Sequence, residues 1–76
     1  MKFKIYLKDA NDAAEFVAAA SQIGADIDLH SGVVYIDGKS LLGVLAMGVK
    51  REMNVLVSSD TEGDVFKNAV SKFAVA

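Results

Sequence analysis

The chain contains no cysteine, and histidine occurs once, at His30. Without cysteine there are no disulfides, no thiolate nucleophile and no sulfur-ligated zinc, so packing alone must hold the fold. One histidine and scattered carboxylates do not specify a metal site. No apolar run reaches the roughly 18–20 residues that a membrane helix requires. The first residues, Met1-Lys2-Phe3-Lys4-Ile5-Tyr6, alternate and do not form the apolar core of a signal peptide, so a cytoplasmic location is expected. There is no glycine-rich phosphate loop, no nucleophile–base pair in a motif and no carboxylate dyad, so an enzyme is not expected. No cofactor is implied. Positive charge is not in excess either. Ten acidic residues outnumber eight basic ones, for a net charge of −2. That balance argues against nucleic acid as a partner, and the lysines at 2, 4 and 8 read as a solvated strand face.

What is present is a short, apolar-rich chain of 76 residues, 53% of them hydrophobic, enough for one domain spanning 1–76. Alternation of Phe3, Ile5 and Leu7 with lysines and Tyr6 predicts a strand over 2–8. A helix over 12–23 follows, with Ala13, Phe16, Val17, Ala20 and Ile23 on its apolar face. Asp12 with Glu15 imitates a capping box, and Asp9 and Asn11 are alternative caps. Residues 25–30 and 33–37 alternate as two strands around a Ser31-Gly32 turn. Ser40 is placed to cap a short helix over 41–47, closed by Gly48. Met53, Val55 and Val57 mark a fourth strand. A last helix opens near Ser59–Glu62 and is expected to bury Val65, Phe66, Ala69, Val70 and Phe73. The order is βαββαβα: an α+β, open-faced β-sandwich with a four-stranded antiparallel sheet and helices on one face.

The stretch Gly38-Lys39-Ser40-Leu41-Leu42-Gly43-Val44-Leu45-Ala46-Met47-Gly48-Val49 resembles the segment around the regulatory serine of the HPr phosphocarrier family. Ala20-Ser21-Gln22-Ile23-Gly24-Ala25-Asp26-Ile27 is similar to that family's passage from helix one into strand two. The resemblance implies an HPr-like domain linked to the phosphoenolpyruvate-dependent sugar phosphotransferase system of bacteria. It also exposes a departure. Family members carry Gly-x-His-x-Arg-Pro after the first strand, where the histidine accepts a phosphoryl group from enzyme I. Here a shorter loop reads Lys8-Asp9-Ala10-Asn11-Asp12, with Asp9 at the histidine's place and Asn11 at the arginine's. A phosphohistidine needs an imidazole nucleophile and groups that hold phosphoryl oxygens, whereas carboxylates at Asp9 and Asp12 repel them. Histidine phosphotransfer is therefore not expected, and the nearest parallel is the Crh-like branch, which works in catabolite regulation without the histidine. A further idea is that these carboxylates imitate a permanently phosphorylated carrier; ordinary helix capping explains them equally.

The resemblance marks Ser40 as the candidate regulatory phosphorylation site. It also marks Leu41, Leu42, Leu45 and Met47 as a partner surface for a kinase/phosphorylase, a transcriptional regulator or a transporter component. Lys50 and Arg51 could carry positive charge toward the helix-one loop. His30 reads as a surface histidine on the outward register of strand two, at the edge of the sheet where helix one starts. Three alternatives remain open at this stage. One is a phosphocarrier using an atypical site such as His30. Another is a small-ligand-binding domain of ferredoxin-like or ACT-like arrangement, which calls for a second helix of ten or more residues. The third is a vestigial domain.

Overall fold

The computed structural model describes residues 1–75. Strand β1 (Lys2–Tyr6) leads into helix α1 (Ala10–Ala20), followed by β2 (Ile27–Ser31), β3 (Val34–Asp37) and helix α2 (Leu41–Met47). Strand β4 (Glu52–Val57), helix α3 (Asp60–Ala69) and a short 3-10 turn (Ser71–Phe73) complete the chain. The sheet runs β1-β4-β2-β3 and every pairing is antiparallel. The last strand thus lies between the first two.

Alternation decides which residues go inward. Ile5, Ile27, Leu29, Ile36, Met53, Val55 and Val57 line the inner face and are buried. Lys2, Lys4, Tyr6, Asp28, Tyr35 and Asp37 face outward and stay exposed. Phe16 and Phe66, one from each long helix, meet edge-on over this floor with ring centroids 5.3 Å apart. Helix α1 is rich in alanine, the best helix former, and its fully buried Ala13 and Ala20 let the backbone approach its neighbours closely.

Helix α1 starts at Ala10 and ends at Ala20, earlier at both ends than the spacing predicts. The Asp9 carboxylate accepts from the Asp12 N–H at 3.0 Å, and the Asp12 carboxylate accepts from the Lys8 N–H at 3.0 Å. This reciprocal pair fixes the first turn, so Asp12 is its third residue rather than its cap. At the other end, Gly24 and Ala25 donate their N–H groups to Glu62 at 3.0 and 3.3 Å, and Asp26 donates to the Ser58 hydroxyl at 3.0 Å. These bonds draw residues 24–26 away from strand pairing, and β2 begins at Ile27 instead of Ala25. In α3 the inward face is Gly63, Phe66 and Val70, with Phe73 following. Val65 and Ala69, expected inside, are exposed. Each lies about 100° around the helix from a buried neighbour, Phe66 or Val70.

Two glycines make turns that other residues would strain. Gly32 takes φ +59° at the first position of the two-residue β2–β3 loop, as a tight hairpin requires. At Gly38 a Cβ would lie 2.6 Å from the Ile27 Cγ2, while its N–H donates to the Ile27 carbonyl at 2.8 Å. Lys50 adopts φ +60° without being glycine. It holds this left-handed conformation to donate its N–H to the Leu7 carbonyl at 2.7 Å, which joins the α2–β4 loop to the end of β1.

Two consequences are measurable by chemical denaturation. Lys50→Gly relieves the left-handed strain while loosening the unfolded chain, for a net gain of roughly 0.5–1 kcal/mol. Asp9→Ala removes the cap of α1 and costs about 1 kcal/mol.

Candidate functional site

The N-terminus of α1 sits in the wall of an open depression of about 690 Å³. Tyr6 and Lys8 bring β1 to its rim, Asp9, Asp12 and Glu15 supply the first turns of α1, and Phe73–Val75 close the far side. The C-terminal segment is held there by a bridge between Ile5 and Ala74 and by the Val75 N–H, which donates to the Lys4 carbonyl at 3.1 Å. Lys72 forms an ion pair with Glu15 across the same region. No local sequence signal announced this wall, because it is built from residues far apart in the chain.

Charge decides what this place can do. The free N–H groups at a helix start favour an anion. In this chain an anion is already built in: the Asp9 carboxylate takes up the Asp12 N–H, and Asp12 stands beside it. Asn11, where the resemblance places an arginine, is exposed and carries no charge. The Lys50 backbone reaches the end of β1 at Leu7, so the α2–β4 loop does come up against the start of the helix-one loop.

Ser40 caps α2, its hydroxyl accepting from the Gly43 N–H at 3.2 Å. Two further contacts fix the turn in front of it. The Asp37 carboxylate accepts from the Lys39 N–H at 2.9 Å, and the Lys39 ammonium donates to the Ile23 carbonyl at 2.6 Å. Spacing alone did not reveal this lysine bridge to the end of α1. Beyond Ser40, Leu41, Leu42 and Met47 are 41%, 82% and 46% exposed and form an apolar surface. Leu45 does not share it fully. It is half-buried and packs against the core next to the fully buried Val44.

His30 lies on the open face of the sheet, opposite Tyr35 on β3 and Asn54 on β4. Its ring stacks on Tyr35, with centroids 5.0 Å apart and planes 13° from parallel. The residue is half-buried rather than a free surface group, and its Nδ1 is enclosed with no hydrogen-bond partner among the described residues. Asn54 also pairs with Lys4, so His30 stands level with the middle of β1, near the end of the sheet where α1 starts. It is on the sheet face away from the helices. The Tyr35 stack was not foreseen, since nothing in the hairpin's alternation singles out that cross-strand pair.

Similarities to known proteins agree with this layout. Residues 8–74 match the family model of the PTS HPr component phosphorylation site. No curated protein sequence matches. Among solved structures, the histidine-containing phosphocarrier protein of Mycoplasma superposes with a TM-score of 0.76 at 20% identity, covering 95% of this chain and 89% of that one. The phosphocarrier protein HPr of Bacillus anthracis gives 0.71 at 22% identity, covering 96% and 93%. Crh of Bacillus subtilis, a catabolite repression protein described as a swapped dimer, gives 0.67 at 22%, covering 96% and 88%. These likenesses carry the fold, and the ferredoxin-like or ACT-like alternative falls with them, since α2 has seven residues. The family model spans nearly the whole chain: this protein belongs to the HPr family, whose members are phosphocarriers rather than enzymes.

Proposed function

We propose that this chain is an HPr-like regulatory or interaction domain of the phosphotransferase system. In this reading it is not competent for histidine phosphotransfer, it has Ser40 as a regulatory phosphorylation site, and it acts in the cytoplasm. The observation that carries the reading is the Asp9 cap. At the helix start where the family presents its acceptor histidine, a carboxylate occupies the cap and holds the Asp12 N–H. An incoming phosphoryl group would meet negative charge from Asp9 and Asp12 and find no imidazole to receive it.

His30 is a poor substitute. A neutral imidazole attacks through one nitrogen while the other keeps the proton, normally held by an acceptor. The His30 Nδ1 is enclosed and, among the described residues, has no acceptor to hold a proton. His30 also lies on the sheet face away from the helices, with no helix N-terminus beside it to hold phosphoryl oxygens.

Ser40 is better placed for modification. It is half-buried at a loop–helix junction, and a phosphate there would lie at a helix start, where added negative charge is favourable. The exposed Leu41, Leu42 and Met47 lie within one to two turns of it, so a phosphate on Ser40 would alter the charge beside the apolar partner surface. A kinase/phosphorylase, a transcriptional regulator or a transporter component fits such a surface.

The test is intact mass after incubation with ATP and HPr kinase/phosphorylase. One added phosphate is expected, absent from Ser40→Ala and from Ser40→Asn, which retains an N-cap acceptor. An unchanged mass in the folded wild-type protein removes the serine switch.

A further inference from the structure

The other cleft along β1 has a different electrostatic character. It has a volume of about 360 Å³ and is lined by Lys2, Lys4 and Lys67, with Phe3, Asn54 and the Ala74–Val75 segment completing it. Among the described residues that line it, none is acidic. That composition stands out in a chain with ten acidic residues and eight basic ones. Lys2 and Lys4 alternate onto one face of β1, and Asn54 is the partner of Lys4 across the β1–β4 ladder. Lys67 approaches from the last turn of α3, its ammonium 5.9 Å from the centre of the Phe3 ring. Among the described residues none of these three lysines forms an ion pair.

We propose that this cleft binds a small phosphate-bearing molecule. Lys2 and Lys4 from the outer face of the edge strand and Lys67 from α3 border the same cleft. Several positive charges around one cleft suit a dianion with several oxygens better than a single carboxylate, and lysine serves phosphate as a compact point charge. The Asn54 side chain adds a neutral hydrogen-bonding group. The volume lies at the small end of the range for small-molecule sites. Ala74 and Val75 wall both this cleft and the depression at the start of α1. A ligand here therefore presses on the segment that also closes the helix-one site.

The experiment is a ¹H–¹⁵N titration of the intact chain with inorganic phosphate and with pyrophosphate, ionic strength being held constant with chloride. Saturable shifts are expected at the amides of Phe3, Lys4, Asn54 and Ala74, with pyrophosphate the tighter ligand. Combining Lys4→Gln with Lys67→Gln should weaken binding by roughly tenfold or more, while Lys8→Gln leaves it unchanged. Shifts that follow ionic strength alone, or that persist in the double variant, overturn the proposal. So does binding of an acidic peptide without any response to phosphate. If the double variant does not fold, the contrast between phosphate and chloride in the wild-type chain still decides.

Discussion

Strand β4 is the member on which the rest of the structure depends. It enters the sheet last and lies between β1 and β2, so every strand pairing except the local β2–β3 hairpin depends on it. Its Met53, Val55 and Val57 are almost wholly buried. The residues flanking it do the positioning. Lys50, just before β4, accepts a strained backbone to reach the Leu7 carbonyl, and Ser58, just after it, receives the Asp26 N–H. The first bond fixes where β1 turns into α1, and the second fixes where β2 begins. These contacts join residues distant in sequence, so forming them costs loop-closure entropy.

From that frame follows the chemistry of the helix-one end. The sheet delivers the start of α1 to an open depression, a setting in which backbone N–H groups ordinarily receive an anion from outside. Here the chain supplies the anion itself through Asp9 and Asp12. The same local physics that makes aspartate a good cap makes it a poor neighbour for a phosphoryl group. Helix α2 has a different arrangement: a neutral serine cap with an apolar surface beside it. The two helix ends are thus unequal, one capped by a carboxylate and one by a neutral hydroxyl.

Much of this could be read from residue order. The alternation of Phe3, Ile5 and Leu7, and of Met53, Val55 and Val57, placed two strands correctly, and Ser40 was legible as a cap because helix starts are local. For α3 residue order gave only the neighbourhood of the start, and the structure makes Ser59 its cap. What escaped was set by contacts between distant segments. Glu62 draws Gly24 and Ala25 out of strand pairing, and Phe66 sets the phase of α3 so that Val65 and Ala69 turn outward. At the site, the Asp9 cap was one of several readings that spacing allowed, and the structure selects it. Leu45 was assigned to the exposed surface because a short apolar helix does not reveal its phase in so few residues. The enclosure of His30 by Tyr35 depends on cross-strand register, which no single strand encodes.

The most direct measurement is a ³¹P NMR spectrum of the wild-type protein after incubation with phosphoenolpyruvate and enzyme I, with an authentic histidine-bearing HPr as the positive control. The account predicts a phosphohistidine resonance from the control and none from this chain. An acid-labile phosphate on this protein, lost in His30→Asn, would contradict it and make the chain a carrier through its one histidine.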